Sequence, residues 1–247
     1  MKYFLAIFFA FAAAELKPLI VGGSKVSIED YPYQIALLYG GYRNCGGSII
    51  SRNHVVTAAH CVSSARASEL NIRANSSLCD SGGTVVNISS ITIHPNYYAP
   101  RLDNDIAILT LAESLTYGPG IQPVGLPEPG SNLISNGREA VVSCWGSISE
   151  GGASSPKLRA VNVSVVSMEE CRADYRGLGH ITDSMFCAGA IDSGKSACNG
   201  DSGGPVVADK ILIGIVSWGH GCAGRGYPEV HSNMAYLRNL ITQTTGL

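Results

Sequence analysis

Cys198-Asn199-Gly200-Asp201-Ser202-Gly203-Gly204-Pro205 puts one serine on a glycine-rich turn. On such a turn a hydroxyl stays exposed and backbone N–H groups converge beside it. Acyl transfer needs that pairing of a nucleophile with donors for an oxyanion. Alone, a serine between an aspartate and two glycines reads more simply as a tight turn. Two other stretches change the reading. Thr57-Ala58-Ala59-His60-Cys61 follows the strand-like Ser48-Ile49-Ile50 and His54-Val55-Val56. It sets a histidine at a strand end, beside a cysteine that can be cross-linked. Asp103-Asn104-Asp105-Ile106-Ala107-Ile108-Leu109 sets an aspartate just before an apolar strand, where a carboxylate can be buried. Singly, His60 reads as a structural histidine and Asp105 as a turn residue. Together they supply a base and an orienting carboxylate for the serine.

On these three stretches the chain resembles the chymotrypsin/trypsin-type serine proteases, from Ile20 nearly to the C-terminus. The resemblance implies an all-β fold of two six-stranded antiparallel barrels with a C-terminal helix, and an active site in the cleft between barrels. It implies Ser202 as nucleophile, His60 as base and then acid, and Asp105 as the group that fixes the imidazole tautomer. Backbone N–H groups of Gly200 and Ser202 are expected to form the oxyanion hole. Ser217-Trp218-Gly219 is expected to pair with substrate main chain as an added strand.

Composition agrees with such a fold. The chain has 247 residues, 45% hydrophobic and 15% charged, with a net charge of −2. That supports a large core in one all-β unit or two small barrels. No basic run points to nucleic acid or a membrane surface. Met1-Lys2 precedes an apolar run from Tyr3 to Ala14, which reads as a signal peptide over residues 1–14. The run falls short of the about 20 residues a spanning helix needs. Export makes the cysteines disulfide candidates and Asn75, Asn87 and Asn162, each in an Asn-X-Ser sequon, glycan acceptors. Residues 15–19 then form a short propeptide before a protease domain over 20–247. In the family, cleavage before Ile20 frees an amine that pairs with the aspartate preceding the nucleophile, here Asp201. The family's usual Arg or Lys before that isoleucine is replaced by Leu19, so the activating protease is expected to accept leucine.

Short apolar runs alternate with turn clusters throughout, as in all-β chains. Gln34–Tyr39, Ile106–Leu111, Glu139–Val142, Lys157–Val166 and Ile211–Trp218 read as strands. Met234 to Gln243 is the one convincing helix, with Met234, Leu237, Leu240 and Ile241 on one face. The Pro/Gly-rich stretch near 119–129 reads as the barrel boundary. Eight cysteines allow four bridges. Resemblance implies Cys45–Cys61, Cys171–Cys187 and Cys198–Cys222. Cys79 and Cys144 match no usual cysteine of the family, and Cys144 replaces the first glycine of its common Gly-Trp-Gly. A Cys79–Cys144 bridge is the economical expectation for an exported chain.

The substrate pocket departs from the family's commonest patterns. Trypsins carry Asp six residues before the nucleophile, whereas this chain has Ser196, followed by Ala197, and the resemblance implies Asn199 as a further substrate-binding residue. Across the pocket, Gly226-Tyr227-Pro228-Glu229 puts Glu229 where the family usually has glycine, while Gly219 keeps the entrance open. A carboxylate on the floor can pair with Lys or Arg, as a desolvated charge requires. Crab collagenases and cathepsin G resemble this pattern. The expected preference at P1, the residue before the cut, is Lys/Arg plus Phe/Tyr/Leu. The alternatives are a Glu229 that faces solvent or only shortens the pocket, leaving large apolar P1 residues alone. No metal or cofactor is expected. The stretch Ala74–Thr84 has only Asp80 as an acid, and His54, His94, His180, His220 and His231 show no ligand spacing.

The reading is therefore a secreted, monomeric digestive endopeptidase of the arthropod gut type, a group that includes mite allergens. Its partners are protein or peptide substrates, protein protease inhibitors and an activating protease. The competing reading is a non-catalytic homologue that binds partners on the same fold. The presence of His60, Asp105, Ser202 and Gly200 argues against it.

Overall fold

The structure is a computed structural model that describes residues 23–147, 152–189, 200–221 and 227–247. A two-residue strand, β1 (Ser24–Lys25), leads into six strands that close a first barrel. These are β2 (Gln34–Tyr39), β3 (Tyr42–Ile49), β4 (His54–Thr57), β5 (Leu70–Ala74), β6 (Thr84–Ile93) and β7 (Ala107–Leu111), in the order β2-β3-β4-β7-β6-β5. Strand β2 is apolar on both faces because both are covered. Ile35 and Leu37 point into the barrel core, while Ala36 and Leu38 pack on Trp145 and Leu158 of the second barrel. Strand β6 reads as polar because its outward residues face solvent and only Val86 and Ile88 are fully buried.

The chain crosses residues 112–138 to a second barrel. Its strands are β8 (Glu139–Cys144), β9 (Arg159–Val165), β10 (Met185–Gly189), β11 (Pro205–Ala208), β12 (Ile211–Trp218) and β13 (Glu229–Asn233). They pair in the order β9-β10-β13-β12-β11-β8, and β8 closes back onto β9. Strand β1 adds to the outside of β9. Period-two residues fill this barrel: Ala140 and Val142, Val161, Val163 and Val165, Phe186 and Ala188. Gly214 is glycine because a Cβ there would lie 2.5 Å from the Phe186 ring.

Helix α2 (Met234–Thr245) begins at Asn233, whose Oδ1 accepts from the Tyr236 N–H, and ends at Gly246 in the left-handed region. Its apolar face, Met234, Leu237, Leu240 and Ile241, packs with Leu212 and Ile215 of β12. A second helix, α1 (Met168–Asp174), was not expected from the hydrophobic pattern. It is only two turns long and buries Cys171 alone. The signal lies in Ser167-Met168-Glu169-Glu170, an N-cap pattern in which the Ser167 hydroxyl accepts from Glu170 N–H at 3.1 Å. No helix among the described residues is long and apolar enough to cross a membrane.

Candidate active site

His60 sits on a single 3-10 turn, Ala59–Cys61, directly after β4. The Cys45–Cys61 disulfide ties that turn to β3. Its Nδ1 lies 2.7 Å from Asp105 Oδ2, and its backbone N–H donates to Asp105 Oδ1 at 2.9 Å. Asp105 is buried at the start of the strand region and is 1% exposed. Ser217 Oγ donates to the same Oδ2 at 2.5 Å, and Ser232 Oγ donates to the Asp105 carbonyl at 2.7 Å. Three donors therefore satisfy one buried carboxyl group, the condition for keeping such a group in an apolar interior. The segment before it is fixed as well. Asp103 Oδ1 accepts from Thr182 Oγ1 at 2.7 Å and Ser184 Oγ at 2.6 Å. The second barrel thus holds the aspartate that the first barrel's histidine binds.

The Ser202 turn is docked between a strand of each barrel, β3 and β12. Gly46 N–H donates to the Ser202 carbonyl at 2.8 Å, and Gly203 N–H donates to Val216 O at 2.8 Å. Gly203 has φ +78°, and a Cβ there would collide with Thr57 Oγ1 and lie 2.6 Å from Gly46 O. Only glycine combines that conformation with so close an approach. Gly200 is also left-handed, at φ +93°. Asp201 is buried, and its Oδ1 accepts from the Gly146 N–H at 2.7 Å. A Cβ on Gly146 would collide with the Asp201 carboxyl, so the last glycine of Cys144-Trp145-Gly146 makes room for that side chain. Ile20, Ser196, Ala197, Cys198, Asn199 and Cys222 lie outside the described residues.

Ser217, expected beside substrate, also braces Asp105. The Trp218 ring stacks edge-on against Tyr175 at 4.9 Å. It walls an open cavity of about 240 Å³ with Pro100, Arg101, Leu102, Leu178, Gly179 and His180. Tyr175 is a site residue that the sequence did not reveal. Its hydroxyl donates to Pro228 O at 2.6 Å, anchoring the residue before Glu229, and burial raises its pKa to about 12. Glu229 itself is 6% exposed, so the solvent-facing alternative does not hold. Its Cγ lies 3.5 Å from where a Gly219 Cβ would stand, which puts the stem of the side chain opposite that glycine.

His231 lies two residues along the same face of β13. It is fully buried beside the Phe186 ring, at 5.3 Å. Neither ring nitrogen has a hydrogen-bond partner among the described residues. Burial lowers its pKa to about 4, and only the Ala188 backbone opposes the shift. The unfolded chain takes up this proton near pH 6.5. Between those values the unfolded state binds more protons, so stability falls as pH falls. Denaturant unfolding at pH 7 and pH 4.5 should give a loss on the order of 2–3 kcal/mol larger in the wild type than in His231→Phe. Equal losses would remove His231 as the cause.

The Cys171–Cys187 disulfide joins α1 to β10. The expected Cys79–Cys144 bridge is corrected: both are buried free thiols. They share one apolar cluster. Cys79 Sγ faces the Ser155 carbonyl at 4.0 Å, whereas Cys144 Sγ turns under the active loop, 3.7 Å from Gly200 O. Burial and the nearby Asp201 carboxyl hold the Cys144 thiol far above its ordinary pKa, so it is inert at neutral pH. Cys45, His60 and Cys61 bring ligand-type atoms together, but the two sulfurs are bonded to each other and His60 is engaged by Asp105.

A histidine–aspartate pair at the junction of two six-stranded barrels, beside a Gly-Asp-Ser-Gly turn, is the arrangement of a serine hydrolase. The Trypsin family model matches residues 20–241. The chain is 44% identical to Trypsin alpha of Drosophila melanogaster over 232 residues, 93% of this chain and 89% of that protein. It is 46% identical to Trypsin delta of the same fly over 229 residues, 92% of this chain and 88% of that one. It is 43% identical to Hypodermin-B of Hypoderma lineatum over 231 residues, 93% and 88% of the two chains. The chain belongs to the Trypsin family and is a serine endopeptidase.

Proposed function

We propose that this endopeptidase is a secreted digestive zymogen that cleaves after Lys/Arg and after Phe/Tyr/Leu. The observation that carries the chemistry is the 2.7 Å contact between His60 Nδ1 and Asp105 Oδ2. It leaves Nε2 as the nitrogen that takes the Ser202 proton as the hydroxyl attacks, then returns it to the leaving amine. The tetrahedral oxyanion is held by the N–H groups of Gly200 and Ser202. Acylation expels the amine product, and water then releases the acyl group by the same proton route in reverse. Asp105 stabilises the imidazolium and is not itself protonated.

Activation removes residues 1–14 on export and residues 15–19 by proteolysis. The Ile20 amine then pairs with Asp201, which is buried at the foot of the active turn. Leu19 makes the bond before Ile20 a substrate for an enzyme that accepts leucine at P1, and this enzyme is itself such a candidate. The absence of long insertions favours broad digestion over a single dedicated substrate.

The mixed P1 preference rests on Glu229, buried at 6% exposure opposite Gly219. Its carboxyl group serves a Lys or Arg side chain, and the absence of an aspartate at Ser196 leaves room for large apolar groups. Profiling the activated enzyme on peptides randomised at P1 tests this directly. Cleavage after both Lys/Arg and Phe/Tyr/Leu is expected. Cleavage after apolar residues alone would overturn the mixed assignment.

A further inference from the structure

The loop that carries Ser202 belongs to the second barrel, yet one of its carbonyls is gripped from the first. Arg43, on β3, donates from Nη1 to Gly200 O at 2.6 Å. The partners are far apart in sequence, and the donor is charged. Charge-assisted hydrogen bonds of this kind are short and about twice as strong as neutral ones. Cys144 Sγ approaches the same oxygen at 3.7 Å, so both lone pairs of one carbonyl are addressed by side chains from different barrels. The guanidinium also lies along the glycine: a Cβ on Gly200 would stand 3.0 Å from Nη2. Among the described residues Arg43 forms no ion pair, and this is its one side-chain hydrogen bond.

We propose that Arg43 is a positioning residue for the oxyanion loop: it pins the Gly200 carbonyl and so fixes the peptides whose N–H groups face the oxyanion. The inference rests on the assignment of Gly200 and Ser202 N–H as the oxyanion donors. The Gly200–Asp201 peptide lies between the two donor peptides, so its orientation governs both. Gly200 sits at φ +93°. Glycine has little intrinsic preference among backbone conformations, so nothing in its own torsions prevents this peptide from rotating. An outside anchor is required, and a carbonyl held by a guanidinium cannot turn over without breaking a bond to a charged donor. The first barrel reinforces the grip through Gly46 N–H on the Ser202 carbonyl at 2.8 Å. Preorganised donors stabilise charge that develops only in the transition state, so their misalignment lowers turnover more than substrate binding.

The test compares Arg43→Met, which keeps length and loses every donor, with Arg43→Lys, which keeps a charged donor. Both are read in the activated enzyme on one chromogenic peptide and on a peptide boronate, which mimics the tetrahedral state. Arg43→Met should lower kcat by about 10- to 100-fold with KM within about twofold, as expected for the loss of a hydrogen bond to a charged group. Boronate affinity should fall in parallel with kcat/KM, and Arg43→Lys should recover most of both. A kcat for Arg43→Met within twofold of wild type would overturn the inference. So would equal losses in kcat and thermal stability that Arg43→Lys fails to rescue, which would mark a purely structural residue. A wild-type enzyme that cleaves the peptide but does not bind the boronate would instead overturn the assignment of the oxyanion donors.

Discussion

Replacing Asp105 by asparagine should lower kcat by about 10⁴ while leaving KM nearly unchanged, the loss typical of a Ser-His-Asp triad whose aspartate is made neutral. The geometry gives the reason. Asp105 accepts from three groups: His60 Nδ1, the His60 backbone N–H and the Ser217 hydroxyl. An amide is nearly isosteric, so the fold should be retained. Its NH2 group, however, donates where the carboxyl oxygen accepted. If it faces Nδ1, the imidazole turns to the tautomer with its proton on Nε2, and Ser202 loses its base. The amide oxygen can instead stay on Nδ1, but the developing imidazolium then has no negative partner. Either outcome removes stabilisation made only in the transition state, about 5 kcal/mol by the tenfold-per-1.36 rule. Substrate makes no contact with this buried group, which is why KM should hold. Steady-state kinetics on an activated Asp105→Asn enzyme checks this. A kcat within tenfold of wild type would contradict the assigned role.

Glu229→Gly should lower kcat/KM for cleavage after Lys and Arg by at least about 30-fold while leaving cleavage after Phe, Tyr and Leu within about threefold. Removing one partner of a desolvated, hydrogen-bonded charge pair costs about 2–5 kcal/mol, or about 30-fold to several thousand-fold in kcat/KM. The carboxyl stem lies opposite Gly219, and the strand that carries it is tied down by Tyr175 through the Pro228 carbonyl. The side chain is buried rather than turned to solvent. Glu229→Gln separates charge from shape. It keeps the volume, so a Glu229 that only shortens the pocket predicts little change, whereas a charge partner predicts loss of the basic substrates alone. Unchanged cleavage after Lys and Arg in both variants would show that the pocket's affinity for cations resides elsewhere.

How much of this was legible in the sequence depended on range. Local patterns carried well. Gln34–Tyr39 and Ile211–Trp218 are strands with the expected bounds, and α2 presents the expected Met234, Leu237, Leu240 and Ile241 face. Strand β6 escaped because its exposed residues dilute the apolar alternation, and α1 escaped because two turns with one buried residue have no periodicity to read. The groups that hold the site in place were invisible for a different reason. Arg43 meets Gly200, Ser232 meets Asp105 and Tyr175 meets Pro228 across 157, 127 and 53 residues of sequence. No local motif records such a contact. The Cys79–Cys144 expectation failed on the same ground: counting cysteines cannot reveal that one sulfur turns toward Gly200 O and the other toward Ser155 O.

Every step of the proposed chemistry depends on Ser202 being the activated nucleophile. Treatment of the activated protein with a fluorophosphonate, with the adduct mapped by mass spectrometry, probes that role. One adduct is expected, on the peptide containing Ser202, and it should be lost in His60→Ala. An enzyme that cleaves peptides yet carries no adduct on Ser202, or carries it on another residue, would rule out Ser202 as the nucleophile.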